Sequence, residues 1–526
     1  MTKITILHET LDVFVNRWSM VWNLLMEHIF LSFISILIAI IISVPLGIYL
    51  TRHNKIAGPV IGITSIFQTI PSLALLVFLV PFIGTGKLPA IIALTVYGLL
   101  PILRNTYLGI MGVDSSVIEA GKGMGMTNRQ ILWMVELPLS LRVIMGGVRT
   151  ASVLVIGVAT IAGLIGAGGL GDLIYRGLQT LNTGLILGGA IPAALLAIIF
   201  DYLLKKLEED VTPKGLQAKG KLPKKSVKII RWSVVGIIIL ALIGNFAIQS
   251  FGGANKDTIV ISGKNFTEQQ IMVYIMGHLI EDKTDLNVEY HSFLGGTSPV
   301  FNGVKKGDYD LYVEYTGTGL IEILKHKIVS DPDKVYDIVK QQFKKKYDLD
   351  WLKPIGFNNT YTLTVRQSDA QKYGLKTISD LKKVDSKLSL GSEPEFLERK
   401  DGYPGLEKTY GLHFKSTSSM DAGIMYSSIK NNKVDVIDAY GTDGRIPAYN
   451  LKVLKDDKHF FPPYYAAPLI RDDTLKAHPE LKKVLNMLSG KINDQTMQEL
   501  NKEVDLDKKD YEDVAVNWLK KEGLID

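Results

Sequence analysis

Between Glu27 and Arg52 lie 24 residues without a formal charge. At a rise of 1.5 Å per residue, such a run crosses a hydrocarbon core about 30 Å thick as one helix. Uncharged runs recur at Ile56–Gly86, Leu88–Leu103, Thr150–Gly171, Gly177–Phe200 and Trp232–Asn255, and five of the six runs reach 20 residues. Six membrane spans are therefore expected, rather than buried helices of a soluble protein. The third run is the shortest, which puts Arg104 at the interface with its long stem reaching the headgroups. Glu9, Asp12 and Arg17 precede the first run, and no small-residue cleavage pattern ends it, so no cleaved signal peptide is expected.

Orientation follows from the basic residues, which gather in cytoplasmic loops. Arg52 and Lys55 follow the first run, Lys122, Arg129 and Arg142 the third, and Lys205, Lys206 and a basic segment over Lys214–Lys228 the fifth. The alternate loops hold only Lys87 and Arg176. Both termini, and everything after about residue 255, are thus expected outside the cytoplasm, on a multi-pass protein of the cell membrane. Residues 1–255 carry 20 Lys and Arg against 11 Asp and Glu, while the remainder carries 39 against 42. The basic balance belongs to the apolar half, which argues against nucleic acid as a partner. The absence of cysteine excludes disulfides and thiolate metal sites.

The loop between the third and fourth runs, within residues 114–139, reads as a polar helix start, a glycine break near Gly123–Gly125, and an apolar helix stopped by Pro138. By pattern alone it is an amphipathic segment lying on headgroups or a knob offered to a partner. Glu119-Ala120, Gly125, Ile131 and Leu137-Pro138 together resemble the cytoplasmic loop of ABC importer permeases that docks on the ATPase, with Gly121 where that family has alanine. The resemblance implies a separate cytoplasmic ABC ATPase subunit. No G-x-x-x-x-G-K-[ST] loop exists in the chain to cradle a nucleotide: Gly121-Lys122 and Gly490-Lys491 both lack the upstream glycine. The small-residue run Ala162–Gly171 reads equally as gate lining or as helix packing.

From Thr258 onward, strand patterns (Ile259–Gly263, Asn287–Tyr290, Asp310–Tyr315, Tyr361–Arg366, Leu388–Leu390, Val434–Ala439, Leu451–Val453) alternate with helical ones (Thr267–Glu281, Asp333–Lys346, Asp421–Asn431, Thr474–Leu488). That order predicts an α/β domain of two lobes with a ligand cleft between them. The segments Gly263–Gln269, Glu314–Gly319, Asn358–Tyr361, Glu395–Tyr403, Asp438–Gly444 and Phe460–Tyr464 resemble the osmoprotectant-type substrate-binding proteins of ABC importers. The whole chain therefore resembles a permease, residues 1–248, joined by a linker at 249–257 to a periplasmic-binding-protein-like domain at 258–526.

The resemblance implies an ATP-driven importer of quaternary ammonium solutes of the glycine betaine, carnitine or choline type, or of the betaine ergothioneine. A permease of six spans is expected to form half of a pathway, so the chain is expected to work as a homodimer, without cofactor and without enzymatic activity of its own. A trimethylammonium group has no N–H to donate, so aromatic faces suit it, each worth about 0.5–2 kcal/mol. The family's cage rings fall on Tyr315, Tyr361, Tyr440 and Tyr464, the last preferred to Tyr465 because it follows Pro462-Pro463. Arg399, Lys264 and Thr318 are implied for a ligand carboxylate, favouring a zwitterion over choline, and Asn359 orients the cage or meets the ligand. For an imidazole-thione ring, Glu314, Asp421, Asp438 and Asn265 are candidates. A ligand-gated sensor or channel is the alternative class, which the Glu119–Pro138 loop argues against. An enzyme lacks support, since neither metal-ligand spacing nor a G-x-S-x-G elbow occurs.

Overall fold

The computed structural model describes residues 3–84, 86–180, 182–211, 258–291 and 295–526. The expected sixth span at Trp232–Asn255, the linker at 249–257 and the basic segment Lys214–Lys228 lie outside the described residues. Two units are described separately.

The first unit is helical: α1 (Lys3–Asn16), α2 (Trp18–Arg52), α3 (Asn54–Thr69), α4 (Ser72–Ile83), α5 (Lys87–Met111), α6 (Ser115–Gly123), α7 (Asn128–Ile131), α8 (Leu137–Ala162), α9 (Leu170–Gln179) and α10 (Thr183–Val211). Among the described residues, four helical stretches are long and apolar enough to cross a membrane, and a bent pair makes a fifth. That pair corrects the second expected span. Ile56–Gly86 is not one helix, because the chain turns by 91° between α3 and α4. Pro71 forces Ile70 out of the helical region, to ψ 130°, and the Tyr97 hydroxyl donates to the freed Ile70 carbonyl.

The other boundaries move because charged residues do not end these helices. α5 runs past Leu103 with Arg104 exposed on its surface. The fourth span begins well before Thr150, since Asn128–Ile165 is continuously helical. Arg149 sits within it, bonded to Asp201 and Glu208 of α10 at 2.9–3.0 Å. Those acids let α10 continue past Phe200, while its start at Thr183 replaces the expected Gly177. The run Ala162–Gly171 breaks the helix, with Gly166, Gly168 and Gly169 at positive φ.

α2, α5 and α8 pack around Leu31, Ala39, Ala90, Leu94, Val155 and Ala159, all buried. Their approach depends on glycine. A Cβ on Gly147 would lie 2.6 Å from Asn105 Cβ and 2.7 Å from the Pro101 carbonyl, whereas one on Gly146 would meet nothing within 4 Å.

The second unit has two five-stranded sheets. Lobe one holds β1 (Thr258–Ser262), β2 (Asn287–His291), β3 (Leu311–Tyr315), β4 (Leu349–Trp351) and β10 (Ala466–Arg471), in the order β2-β1-β3-β10-β4. Lobe two holds β5 (Tyr361–Arg366), β6 (Ser389–Ser392), β7 (Ser416–Ser419), β8 (Val436–Tyr440) and β9 (Leu451–Leu454), in the order β7-β6-β8-β5-β9. The chain crosses between lobes twice, from β4 to β5 and from β9 to β10, and Asn358 and Tyr465 bridge the two crossings. The three strands without a sequence signal have reasons. β4 is three residues long, β7 is exposed Ser-Thr-Ser-Ser, and β10 carries Pro468 in mid-sheet, where proline removes a ladder donor. Thr474–Leu488, expected as one helix, is divided at His478-Pro479 into Asp472–Ala477 and Glu480–Leu485.

The glycine contacts set opposite expectations for two neighbouring substitutions. Gly147→Ala should destabilise the purified chain by about 1–3 kcal/mol through overpacking, while Gly146→Ala should stabilise it by up to about 1 kcal/mol through helix propensity. Thermal unfolding in detergent measures both.

Candidate functional site

Strand ends place the candidate residues. Tyr315 closes β3, Tyr440 closes β8, and Lys264 follows β1, so all three project from the carboxyl ends of their strands, where open α/β sheets bind ligands. Tyr361 opens β5 opposite Tyr440 in register, and Asn359 and Tyr464 lie in the two crossings. A cavity of about 250 Å³ between the lobes is lined by Lys264, Tyr315, Thr318, Asn359, Tyr361, Arg399, Tyr440 and Tyr464. All eight residues chosen from sequence therefore meet in one place.

The rings form a connected set. Tyr361 lies 5.1 Å from Tyr440 and 5.5 Å from Tyr464, the latter edge-on at 89°. Phe266 stands between the remaining pair, 6.2 Å from Tyr315 and 5.8 Å from Tyr440. Sequence reasoning missed Phe266 as a lining residue, although it is the aromatic of the quoted Gly263–Gln269 motif. Tyr464 is among the lining residues and Tyr465 is not.

The two cations are matched from behind. Lys264 Nζ donates to Glu314 at 2.6 Å and to Thr297 at 3.2 Å, and lies 5.1 Å from the Tyr315 ring centroid. Arg399 donates twice to Asp401, at 3.0 and 2.6 Å, and Tyr464 donates to the same carboxylate at 2.6 Å. Arg399 also lies 5.6 Å from the Tyr361 ring. Glu314 and Asp401 are both fully buried. Neither cation is thus a bare charge waiting for an anion, and the inference of a zwitterion from Lys264 and Arg399 loses that support. The missing signal was the pairing partner, which lies 50 residues from Lys264 but only two from Arg399.

Lobe two adds an acidic edge of Glu393, Glu395 and Asp421. Glu395 accepts the Thr297 N–H of lobe one at 3.2 Å. Tyr440 donates to Glu393 at 2.6 Å, and the Glu393 N–H donates to Asp438 at 3.1 Å. Burial pushes the Glu393 carboxyl up to about 7, against the pull of Tyr440. Asp438 rises well above its usual range through burial and then through Glu393. Of the four side chains considered for an imidazole-thione ring, Asn265 and Asp421 line the cavity, whereas Glu314 and Asp438 stand behind it. Among the described residues, no cluster of His, Asp and Glu is arranged to hold a metal.

The loop singled out between the third and fourth runs folds as two helical pieces. Asp114 caps α6, Gly125 turns the chain at φ +81°, and Thr127 with Gln130 forms a capping box for α7. Glu119 and Ala120 are exposed, and so are Val117, Met124, Trp133 and Met134, an apolar surface without cover among the described residues. Gly121 is buried beneath Met126 and Ile131. The expected stop at Pro138 does not occur. Leu132–Glu136 forms a π-helical turn in which the Leu137 N–H reaches back to Leu132, and Pro138 follows directly on that turn within the continuous helical stretch Asn128–Ile165.

Both halves of the chain match known families. Residues 257–521 match the family described as the substrate binding domain of ABC-type glycine betaine transport system, and residues 43–213 match the binding-protein-dependent transport system inner membrane component. The chain is 34% identical over 487 residues to the ergothioneine transport permease/ergothioneine binding protein EgtU of Helicobacter pylori (strain G27), covering 93% of this chain and 88% of that protein. It is 41% identical over 300 residues to the carnitine transport binding protein OpuCC of Listeria monocytogenes serotype 1/2a (strain 10403S), covering 57% and 97%. Over 191 residues it is 53% identical to the glycine betaine/carnitine/choline transport system permease protein OpuCB of Bacillus subtilis (strain 168), covering 36% and 88%.

The raised carboxyls predict a pH dependence. Glu393 titrates near 7 when folded against 4.5 in its ordinary state, so its contribution to stability is complete below about pH 4.5 and is lost as pH rises through about 7. The melting temperature of the purified chain should fall between pH 5 and 8, and Glu393→Gln should flatten that fall.

Proposed function

Because the chain belongs to the ABC importer family that joins a permease to a glycine-betaine-type substrate-binding domain, we propose that it imports a small quaternary ammonium solute held by Tyr315, Tyr361, Tyr440 and Tyr464. The single observation that carries this reading is the meeting of those four rings around one cavity whose edge is acidic. With Lys264 and Arg399 each matched by a buried carboxylate, Glu395 and Asp421, joined by the ionised fraction of Glu393, leave the cavity negative, which favours a cation. A permanently methylated nitrogen gains from ring faces without demanding a hydrogen bond. Thr318 and the outer face of the Arg399 guanidinium are the donors for a carboxylate when the solute is glycine betaine or carnitine.

Ergothioneine is the second reading, favoured by the 34% identity to EgtU across nearly the full length. Asn265 and Asp421 are then the polar partners for its ring. The domain limits we propose are 1–248 for the permease, 249–257 for the linker and 258–526 for the binding domain, and two copies of the chain form the pathway. Glu119, Ala120, Gly125, Leu137 and Pro138 belong to the surface that docks on the separate ATPase. The exposed Met124, Trp133 and Met134 around them suit a protein partner.

Calorimetric titration of the detergent-purified chain with glycine betaine, carnitine, choline and ergothioneine identifies the solute. Tyr361→Ala and Tyr440→Ala should each weaken the preferred one by about 2- to 30-fold, and unchanged binding in both would refute the cage. Gly125→Val, strained at φ +81°, should abolish ATP-driven uptake in vesicles containing the ATPase while leaving solute affinity as it was.

A further inference from the structure

Glu268 lies in the first turn of the lobe-one helix Thr267–Lys283 and is 2% exposed. Its Oε1 accepts the Tyr315 hydroxyl at 2.6 Å and the Asn359 amide at 2.8 Å. Its Oε2 accepts the Thr442 hydroxyl at 2.5 Å and, more weakly, the Asn501 amide at 3.5 Å. These donors come from four places: the end of β3 in lobe one, the first crossing, the loop after β8 in lobe two, and the penultimate helix Asp494–Asp505. Asn501 also donates to the Thr442 carbonyl at 3.0 Å, so Thr442 is gripped through both side chain and backbone. Gln269, the next residue, donates to the Tyr315 hydroxyl at 3.0 Å and completes the hold on that ring.

A carboxylate taken out of water without a cation is costly, and only a full set of donors offsets the cost. Glu268 meets that condition with donors from both lobes at once. Burial drives its carboxyl up to about 7 even though Thr442, Tyr315, Asn501 and Asn359 pull it down. If the lobes part at this point, Thr442 is withdrawn and the set is incomplete.

We propose that Glu268 is a positioning residue that ties the two lobes at the hinge end of the cavity, holding Tyr315 of lobe one in register with Tyr440 of lobe two when solute is bound. The inference rests on the cage reading above and adds to it the element that couples ring placement to lobe closure. Glu268 does not touch the solute. It acts through the Tyr315 hydroxyl on one oxygen and Thr442 on the other.

The chain contains no cysteine, so Lys345→Cys on the lobe-one helix Pro332–Tyr347 and Lys433→Cys before β8 introduce one spin-label pair at exposed positions of the two lobes. Double electron–electron resonance on the full chain in nanodiscs then reads lobe separation, with whichever of glycine betaine, carnitine, choline or ergothioneine binds tightest. Stopped-flow measurements of the same chain read its dissociation. Thr442→Val and Glu268→Gln should each deplete the closed population and raise the dissociation rate about tenfold. Thr442→Ser, which keeps the hydroxyl, should match the parent, and the Glu268→Gln/Thr442→Val pair should be no worse than the poorer single variant. A parent-like closed population and dissociation rate in both single variants, or additive effects in the pair, would overturn the tie. Tyr361→Ala and Tyr440→Ala, measured alongside, separate the two failures: weakened binding there with parent-like Glu268→Gln sinks only the tie, whereas parent-like binding in both sinks the cage itself.

Discussion

A charge buried in the wall of a binding cavity has to be answered by another charge or by a full set of donors, and that requirement organises the outer half of this protein. Lys264 is answered by Glu314 and Arg399 by Asp401, with Tyr464 sharing the second carboxylate. Once the cations are matched, the residual field in the cavity comes from Glu395 and Asp421 and from the ionised fraction of Glu393. Rings and acids then act in the same direction, toward a cation. The matched pairs also fix the rings, because Lys264 and Arg399 stand over Tyr315 and Tyr361.

The topology explains why such a cavity forms where it does. Two crossings between the lobes bring Asn359 and Tyr464 beside the ends of β3 and β8, and the bridge from Asn358 to Tyr465 keeps the crossings together. A residue on either crossing belongs to both lobes, so a change in lobe angle changes the cage directly. The membrane half follows a different rule. Its helices approach through Gly147 and Gly98, and its interior charges are tolerated where Arg149 meets Asp201 and Glu208. That half is the inner-membrane component of an ABC importer and the other half is its solute-binding domain outside the cytoplasm. An importer component of this family implies a partner ATPase.

Much of this was legible from residue order. The first five uncharged runs fall on apolar helices of the described residues, the alternation after Thr258 identified an α/β unit, and short motifs led to eight residues that line one cavity. The failures share a cause. Helix limits read from charge alone stopped at Arg104, which α5 carries on its exposed surface, and began after Arg149, because a charge scan has no knowledge of the partners that make that arginine acceptable. Pro138 was read as a stop because the π-helical turn before it leaves no mark in composition. β10 was missed because its proline counts against a central strand, although the neighbouring Leu352 N–H reaches the Pro468 carbonyl at 2.9 Å.

Residue order by itself determined which groups were available: spans long enough for a bilayer, a loop shaped for a partner, aromatic residues in recurrent motifs, and no cysteine. These are properties of contiguous segments, set by helix rise, hydropathy and local turn chemistry. Only the tertiary structure decided which charges cancel, because Lys264 and Glu314 become neighbours when β1 and β3 align, and which ring joins Tyr315 to Tyr440, because Phe266 reaches both only across the cleft. The sign of the field in a cavity depends on distances between groups far apart in the chain, and those distances exist only after folding.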